Sequence, residues 1–110
     1  MLPSEPDTSS VASVFAALGD RTRLTLLSRL ADAPAQSVVE LTRGTGLTRQ
    51  GISKHLAVLE EAGVVSSTRV GRETRFAIRP AALAEAGRYL ERASRQWDEA
   101  ATRLRKLVED

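Results

Sequence analysis

Gly46-Leu47-Thr48-Arg49-Gln50-Gly51-Ile52-Ser53-Lys54-His55-Leu56-Ala57-Val58-Leu59-Glu60-Glu61-Ala62-Gly63 is the stretch that decides how this chain of 110 residues folds. Glycines stand at both ends, and Thr48 is a good N-cap, so a helix is predicted from Thr48 to about Ala62. On a wheel of about 100° per residue, Ile52, Leu56 and Leu59 fall within roughly 60° of one another. Arg49, Gln50, Ser53, Lys54 and Ala57 take the adjoining arc, most of them in the first two turns. One face is apolar and the other is small, polar and basic. A helix that enters the major groove needs this arrangement, because small residues admit it and its N-terminal side chains meet base edges. Arg can donate two bonds to guanine, and Gln can pair with adenine. Taken alone, the pattern also fits an exposed helix with a solvated polar face.

Upstream, Ser37-Val38-Val39-Glu40 is a capping box that opens another helix. Gly44-Thr45-Gly46 ends it in a tight turn, which makes residues 37–62 a helix-turn-helix. Before it, Val11, Val14, Phe15 and Leu18 predict a short helix from about Ser9 to Leu18. Asp20 caps a second helix with Leu24, Leu27 and Leu30 on one stripe and Leu26 beside it. Residues 1–8 read as a disordered lead-in, and residues 9–110 as a single domain.

Downstream, Val64 to Val70 and Glu73 to Arg79 read as two strands joined by a Gly-first turn at Gly71-Arg72. This hairpin, residues 64–79, would be a wing. Phe76 and Ile78 share its inward face with Thr74. Pro80 opens a last helix over residues 80–108. Along it Leu83, Ala86, Leu90, Ala93, Trp97, Ala100, Leu104 and Leu107 keep a seven-residue repeat, as a helix packing along a partner does. The fold class is mainly α with an α+β wing, in the order α-α-α-α-β-β-α.

The charge supports a nucleic-acid reading through its distribution. The whole chain carries only +2, yet residues 43–79 hold seven basic residues against three acidic ones. Residues 1–42 are net acidic and residues 80–110 are balanced. A local basic face is what a polyanion requires. Arg69, Arg72 and Arg75 gather at the tip and flanks of the wing, suited to phosphate or the minor groove, although exposed Arg can also simply protect a strand edge. Together with Ser37, Thr48, Arg49, Gln50, Ser53 and Lys54, they are the candidate DNA contacts.

Several function classes fall away. There is no cysteine, which removes disulfides and thiolate metal sites. His55 is the only histidine and cannot close a zinc site; a structural bond to backbone at the helix edge is its expected role. No nucleophile–base pair or phosphate loop is present, so no enzyme is expected. No apolar run nears 18 residues and no targeting leader is evident, so the expected location is the cytoplasm, on the nucleoid when DNA-bound.

The chain resembles the ArsR/SmtB-type winged-helix repressors of bacteria. The matching segments are Ala17 to Leu27, Val38 to Thr42 and Gly46 to Val65, with Arg69 to Ile78 where that family has its wing. The resemblance implies a homodimer whose interface is built by the first and last helices. Carried over, Val11, Val14, Phe15 and Leu18 would meet Leu90, Ala93, Trp97 and Leu104. It implies DNA contact from the start of the reading helix, here Thr48, Arg49, Gln50, Ser53 and Lys54. It also implies metal sensing through cysteines or histidines, and there this sequence departs. Val38 to Thr42 holds no thiol, the last helix holds no His, and Asp98 and Glu99 are adjacent and point apart.

The expected function is a homodimeric, metal-independent and cofactor-free repressor of its own or a neighbouring operon, binding double-stranded DNA at an inverted repeat. The alternatives are a repressor with a small-molecule pocket at the dimer interface, near Trp97, and a winged-helix module for protein contact.

Overall fold

Asp20 and Thr48 begin their helices as their side chains dictate. In the computed structural model, which describes residues 6–109, each accepts a hydrogen bond from the backbone N–H three residues on, at 3.0 Å. The elements run α1 (Pro6–Leu18), α2 (Arg21–Asp32), β1 (Gln36–Ser37), α3 (Val38–Thr42), α4 (Arg49–Glu61), β2 (Val65–Val70), β3 (Glu73–Ile78) and α5 (Pro80–Glu109). The helical part of the expected order holds, with one strand added.

That strand is β1. It pairs antiparallel with β3, Gln36 opposite Phe76 and Ser37 opposite Arg75, which gives a sheet of order β1-β3-β2. Two residues are too short to show a period-two pattern, so no sequence signal marks them. The hairpin itself pairs Val65 with Ile78 through Val70 with Glu73. Gly71 turns it with φ of 64°, the positive value that the first position of such a turn requires.

Leu26, Leu41, Ile52, Leu56, Leu59, Val64 and Val65 are the fully buried centre. They come from α2, α3, α4 and the start of the hairpin, so α4 and the hairpin rest on one shared core. The inward stripe of α2 is Leu26, Leu27 and Leu30. Leu24 is half exposed instead: at about 100° per residue it falls roughly 60° beyond Leu27, off the buried stripe.

The first helix begins at Pro6 rather than Ser9, so residues 6–8 of the expected lead-in are helical. Proline's fixed φ suits a first helical position. The rest of that lead-in, residues 1–5, lies outside the described residues.

The 30 residues of α5 span about 45 Å, and only the first half is covered. α1 packs against it, with the rings of Phe15 and Tyr89 meeting edge to face at 6.0 Å. Val11 and Val14 on α1 and Ala93 on α5 are buried within this one chain. This corrects the expectation that they present themselves to a second subunit. The seven-residue repeat divides accordingly. Ala86 and Ala93 face inward, while Leu90, Trp97, Leu104 and Leu107 stand out, Trp97 at 65% exposure and Leu107 at 76%. Small residues let α1 approach closely on one side; Leu90, Trp97, Leu104 and Leu107 stand exposed, uncovered by any other described residue.

Candidate nucleic-acid interface

The capping Thr48 and the core contacts of Ile52, Leu56 and Leu59 set how α4 is presented. With these three buried, Arg49, Gln50, Ser53, Lys54 and Ala57 are all exposed. Among the described residues, no side-chain hydrogen bond or ion pair engages Arg49, Gln50, Ser53 or Lys54. Their donors and acceptors are free for an outside partner.

The turn before α4 is held from behind by Arg29 of α2. Its guanidinium donates to the Leu41 carbonyl at 3.0 Å and to the Arg43 carbonyl at 2.5 Å. Gln36 in turn donates its amide to the Arg29 carbonyl at 2.7 Å. Gly44 and Gly46 sit at φ of 75° and 72°, values an L-residue adopts only with strain. Nothing in the sequence marked Arg29 for this task, because its partners are backbone carbonyls that any residue would supply.

Arg72 sits at the hairpin tip, exposed, with no partner among the described residues. Arg69 is exposed on β2 and donates from Nε to the Gly71 carbonyl at 3.2 Å, bracing the turn. Arg75 differs from both. It lies mid-strand on β3, between Thr68 of β2 and Ser37 of β1, partly buried, with its guanidinium on the Glu73 carboxylate at 3.1 Å. It is not a tip residue: the central strand of the sheet carries it away from the turn.

Ser37 is corrected as a DNA contact. It is 5% exposed. Its hydroxyl accepts from the Glu40 N–H at 3.2 Å and lies 3.1 Å from the Glu40 carboxylate, to which it donates. The Glu40 carboxylate also accepts the Ser37 backbone N–H at 3.2 Å. That bond first, and the hydroxyl second, hold the Glu40 carboxyl below its ordinary pKa. A hydroxyl spent inside its own cap has nothing left for a phosphate.

His55 is partly buried on the edge of α4, and its partner is a side chain rather than backbone. Nδ1 lies 3.3 Å from an Arg23 guanidinium nitrogen and 3.8 Å from the Asp20 carboxylate.

A helix-turn-helix domain model matches residues 18–68. The HTH-type transcriptional regulator CmtR of Mycobacterium tuberculosis is 38% identical over 89 residues, which cover 78% of this chain and 72% of CmtR. An ArsR-like transcriptional regulator from Rhodococcus sp. RHA1 superposes with a TM-score of 0.77 at 39% identity, over 91% of this chain and 93% of that one. The chain belongs to the ArsR family of winged helix-turn-helix transcriptional regulators. It is a DNA-binding regulator of transcription and not an enzyme.

Another neighbour, from Mycobacterium bovis, is described as a homodimeric winged helix-turn-helix DNA-binding domain of a possible ArsR-family transcriptional regulator. It aligns with a TM-score of 0.64 at 25% identity, over 91% of this chain and 92% of that one. Within the ArsR fold the helix-turn-helix here is α3–α4 and the wing is β2–β3. No helix among the described residues is long and apolar enough to cross a membrane.

Proposed function

We propose that this ArsR-family chain acts in the cytoplasm as a homodimeric repressor. It binds an inverted repeat that controls its own or a neighbouring operon, without sensing a metal. The observation that carries the reading is the free face of α4: Arg49, Gln50, Ser53 and Lys54 exposed and unengaged in the first turns of a capped helix. Arg and Gln there read base edges, Ser53 and Thr48 reach bases or phosphates, and Lys54 meets phosphate. Arg72 and Arg69 on the wing hold the backbone. Arg75, paired with Glu73, is a weaker candidate for DNA contact than either.

Pairing is supported by Leu90, Trp97, Leu104 and Leu107, four large apolar side chains left exposed along α5. Phe15 and Leu18 on α1 are partly buried against the core, and Phe15 meets Tyr89 of α5. Two-fold pairing would present two reading helices to successive major grooves about 34 Å apart. The donor set supports the metal-independent reading: the sequence has no thiol and one histidine.

The test is enrichment from a random duplex library by the full chain, followed by footprinting. A two-fold symmetric site with strong salt dependence is the expected result. Enrichment of no duplex, or binding that ignores salt, would overturn the reading. Chelators should leave the affinity unchanged.

A further inference from the structure

Arg23, early in α2, extends its guanidinium to two other elements, α1 and α4. Nε donates to the Ala17 carbonyl at 2.6 Å, and the terminal nitrogens reach the Ala16 carbonyl at 3.4 Å and His55 Nδ1 at 3.3 Å. Its backbone N–H is held by the Asp20 carboxylate at 3.0 Å. Ala16 and Ala17 lie in the last turn of α1, where a cation is favourable; the Ala16 carbonyl also accepts the Gly19 N–H at 3.3 Å. A guanidinium only donates, so this contact is a hydrogen bond in the tautomer whose Nδ1 is unprotonated; the Asp20 carboxylate lies 3.8 Å from the same Nδ1.

This places one rigid, planar donor between the end of α1 and the edge of the reading helix. The apolar contacts of Ile52, Leu56 and Leu59 press α4 against the core, but hydrophobic contact is non-directional and leaves a helix some freedom to roll. A hydrogen bond is directional. His55 stands immediately after Ser53 and Lys54, so any roll that moves the imidazole swings the reading side chains with it. α1, at the other end of the link, is the helix that packs on α5.

We propose that Arg23 and His55 are positioning residues for base reading, which fix the roll of α4 against α1 without touching DNA themselves. The inference rests on the DNA-reading role of α4 proposed above. It differs from a bland stabilising role in one measurable way. Loss of stability lowers the folded fraction and weakens all duplexes alike, whereas loss of position weakens the preferred sequence most.

The readout is therefore the ratio of affinities for two probes: a duplex enriched by the wild-type chain from a random library, and a random-sequence duplex of equal length. The folded fraction cancels from this ratio. His55→Leu should lower it by about tenfold. His55→Asn, whose amide oxygen can stand where Nδ1 stands, should restore most of it. Arg23→Lys keeps the charge but loses the fork, and should behave like His55→Leu. The double variant should be no worse than either single one, since both break one link.

A ratio unchanged in His55→Leu and Arg23→Lys, or losses that simply add, would overturn the positioning role while leaving the function intact. If His55→Leu gives no folded protein, Arg23→Lys alone decides by the same ratio. If the wild-type chain enriches no duplex, the DNA-reading role fails first and the positioning role falls with it.

Discussion

Ser37 and Glu40 are joined by three hydrogen bonds across the first turn of α3: the Ser37 hydroxyl accepts the Glu40 backbone N–H and the Glu40 carboxylate accepts the Ser37 backbone N–H, each at 3.2 Å, and the hydroxyl donates to the same carboxylate at 3.1 Å. The same Ser37 is half of strand β1, opposite Arg75. One residue thus starts the first helix of the helix-turn-helix and ties it to the central strand of the wing. Ser37→Ala should cost about 1 kcal/mol of stability, read as a lower urea midpoint with an unchanged slope. Its preference between DNA sequences should not move, because the hydroxyl faces inward.

Acid should loosen the protein through its caps. The Asp20 carboxyl is held below its ordinary pKa chiefly by the Arg23 backbone N–H, and Glu40 by that of Ser37. A group whose folded pKa lies below its unfolded one stabilises the fold above the unfolded value. That contribution fades as pH falls through the folded value. Stability should hold at neutral pH and decline below about pH 4. Asp20→Asn and Glu40→Gln should each flatten that decline. A melting temperature that falls as steeply with acid in both variants as in the wild type would contradict this assignment.

The exposure of the reading helix could be read in advance because it follows from periodicity. Once Ile52, Leu56 and Leu59 point inward, the 3.6-residue repeat leaves Arg49, Gln50, Ser53 and Lys54 outside, whatever the neighbours are. The caps at Asp20, Ser37 and Thr48 were legible for a similar reason, since each bond spans three residues. What escaped the sequence is long-range. Arg23 reaches His55 across 32 residues, and Arg29 reaches Leu41 and Arg43 across 12 and 14. The two-residue strand β1 exists only because β3 is beside it. The seven-residue repeat of α5 showed that the helix packs along something, but not that α1 of the same chain takes Ala93 while Trp97 is left over.

The reading helix and the wing should separate by their effect on sequence preference. Gln50 is exposed in the first turn of α4, and Arg72 at the tip of the hairpin. Gln50→Ala should cost about 1–3 kcal/mol at one base pair of each half-site and relax preference there. Arg72→Ala should weaken binding to all duplexes alike and make the salt dependence shallower by about one unit per subunit. Fluorescence anisotropy across a salt series, on a preferred and a scrambled duplex, measures both. If Arg72→Ala altered preference as Gln50→Ala does, the wing would be reading bases instead.

Trp97 and Leu104 should decide whether the chain pairs. They are exposed at 65% and 63%, one heptad apart on the half of α5 that no other element covers. Burying two such side chains against a second copy contributes about 1.5–3 kcal/mol each per subunit, so their loss is felt twice in a two-fold dimer. A carboxylate put in place of Trp97 would be buried without a partner, or would keep the two helices apart. Trp97→Asp should therefore shift the chain to a monomer in sedimentation, while the melting transition of the winged-helix core persists. The core should persist because Leu26, Leu41, Ile52, Leu56 and Leu59 are completed within one chain. DNA affinity should fall far more than any single reading-helix substitution achieves, because one subunit reads only half a site. A Trp97→Asp chain that still sediments as a dimer would move the interface off α5 and onto another face.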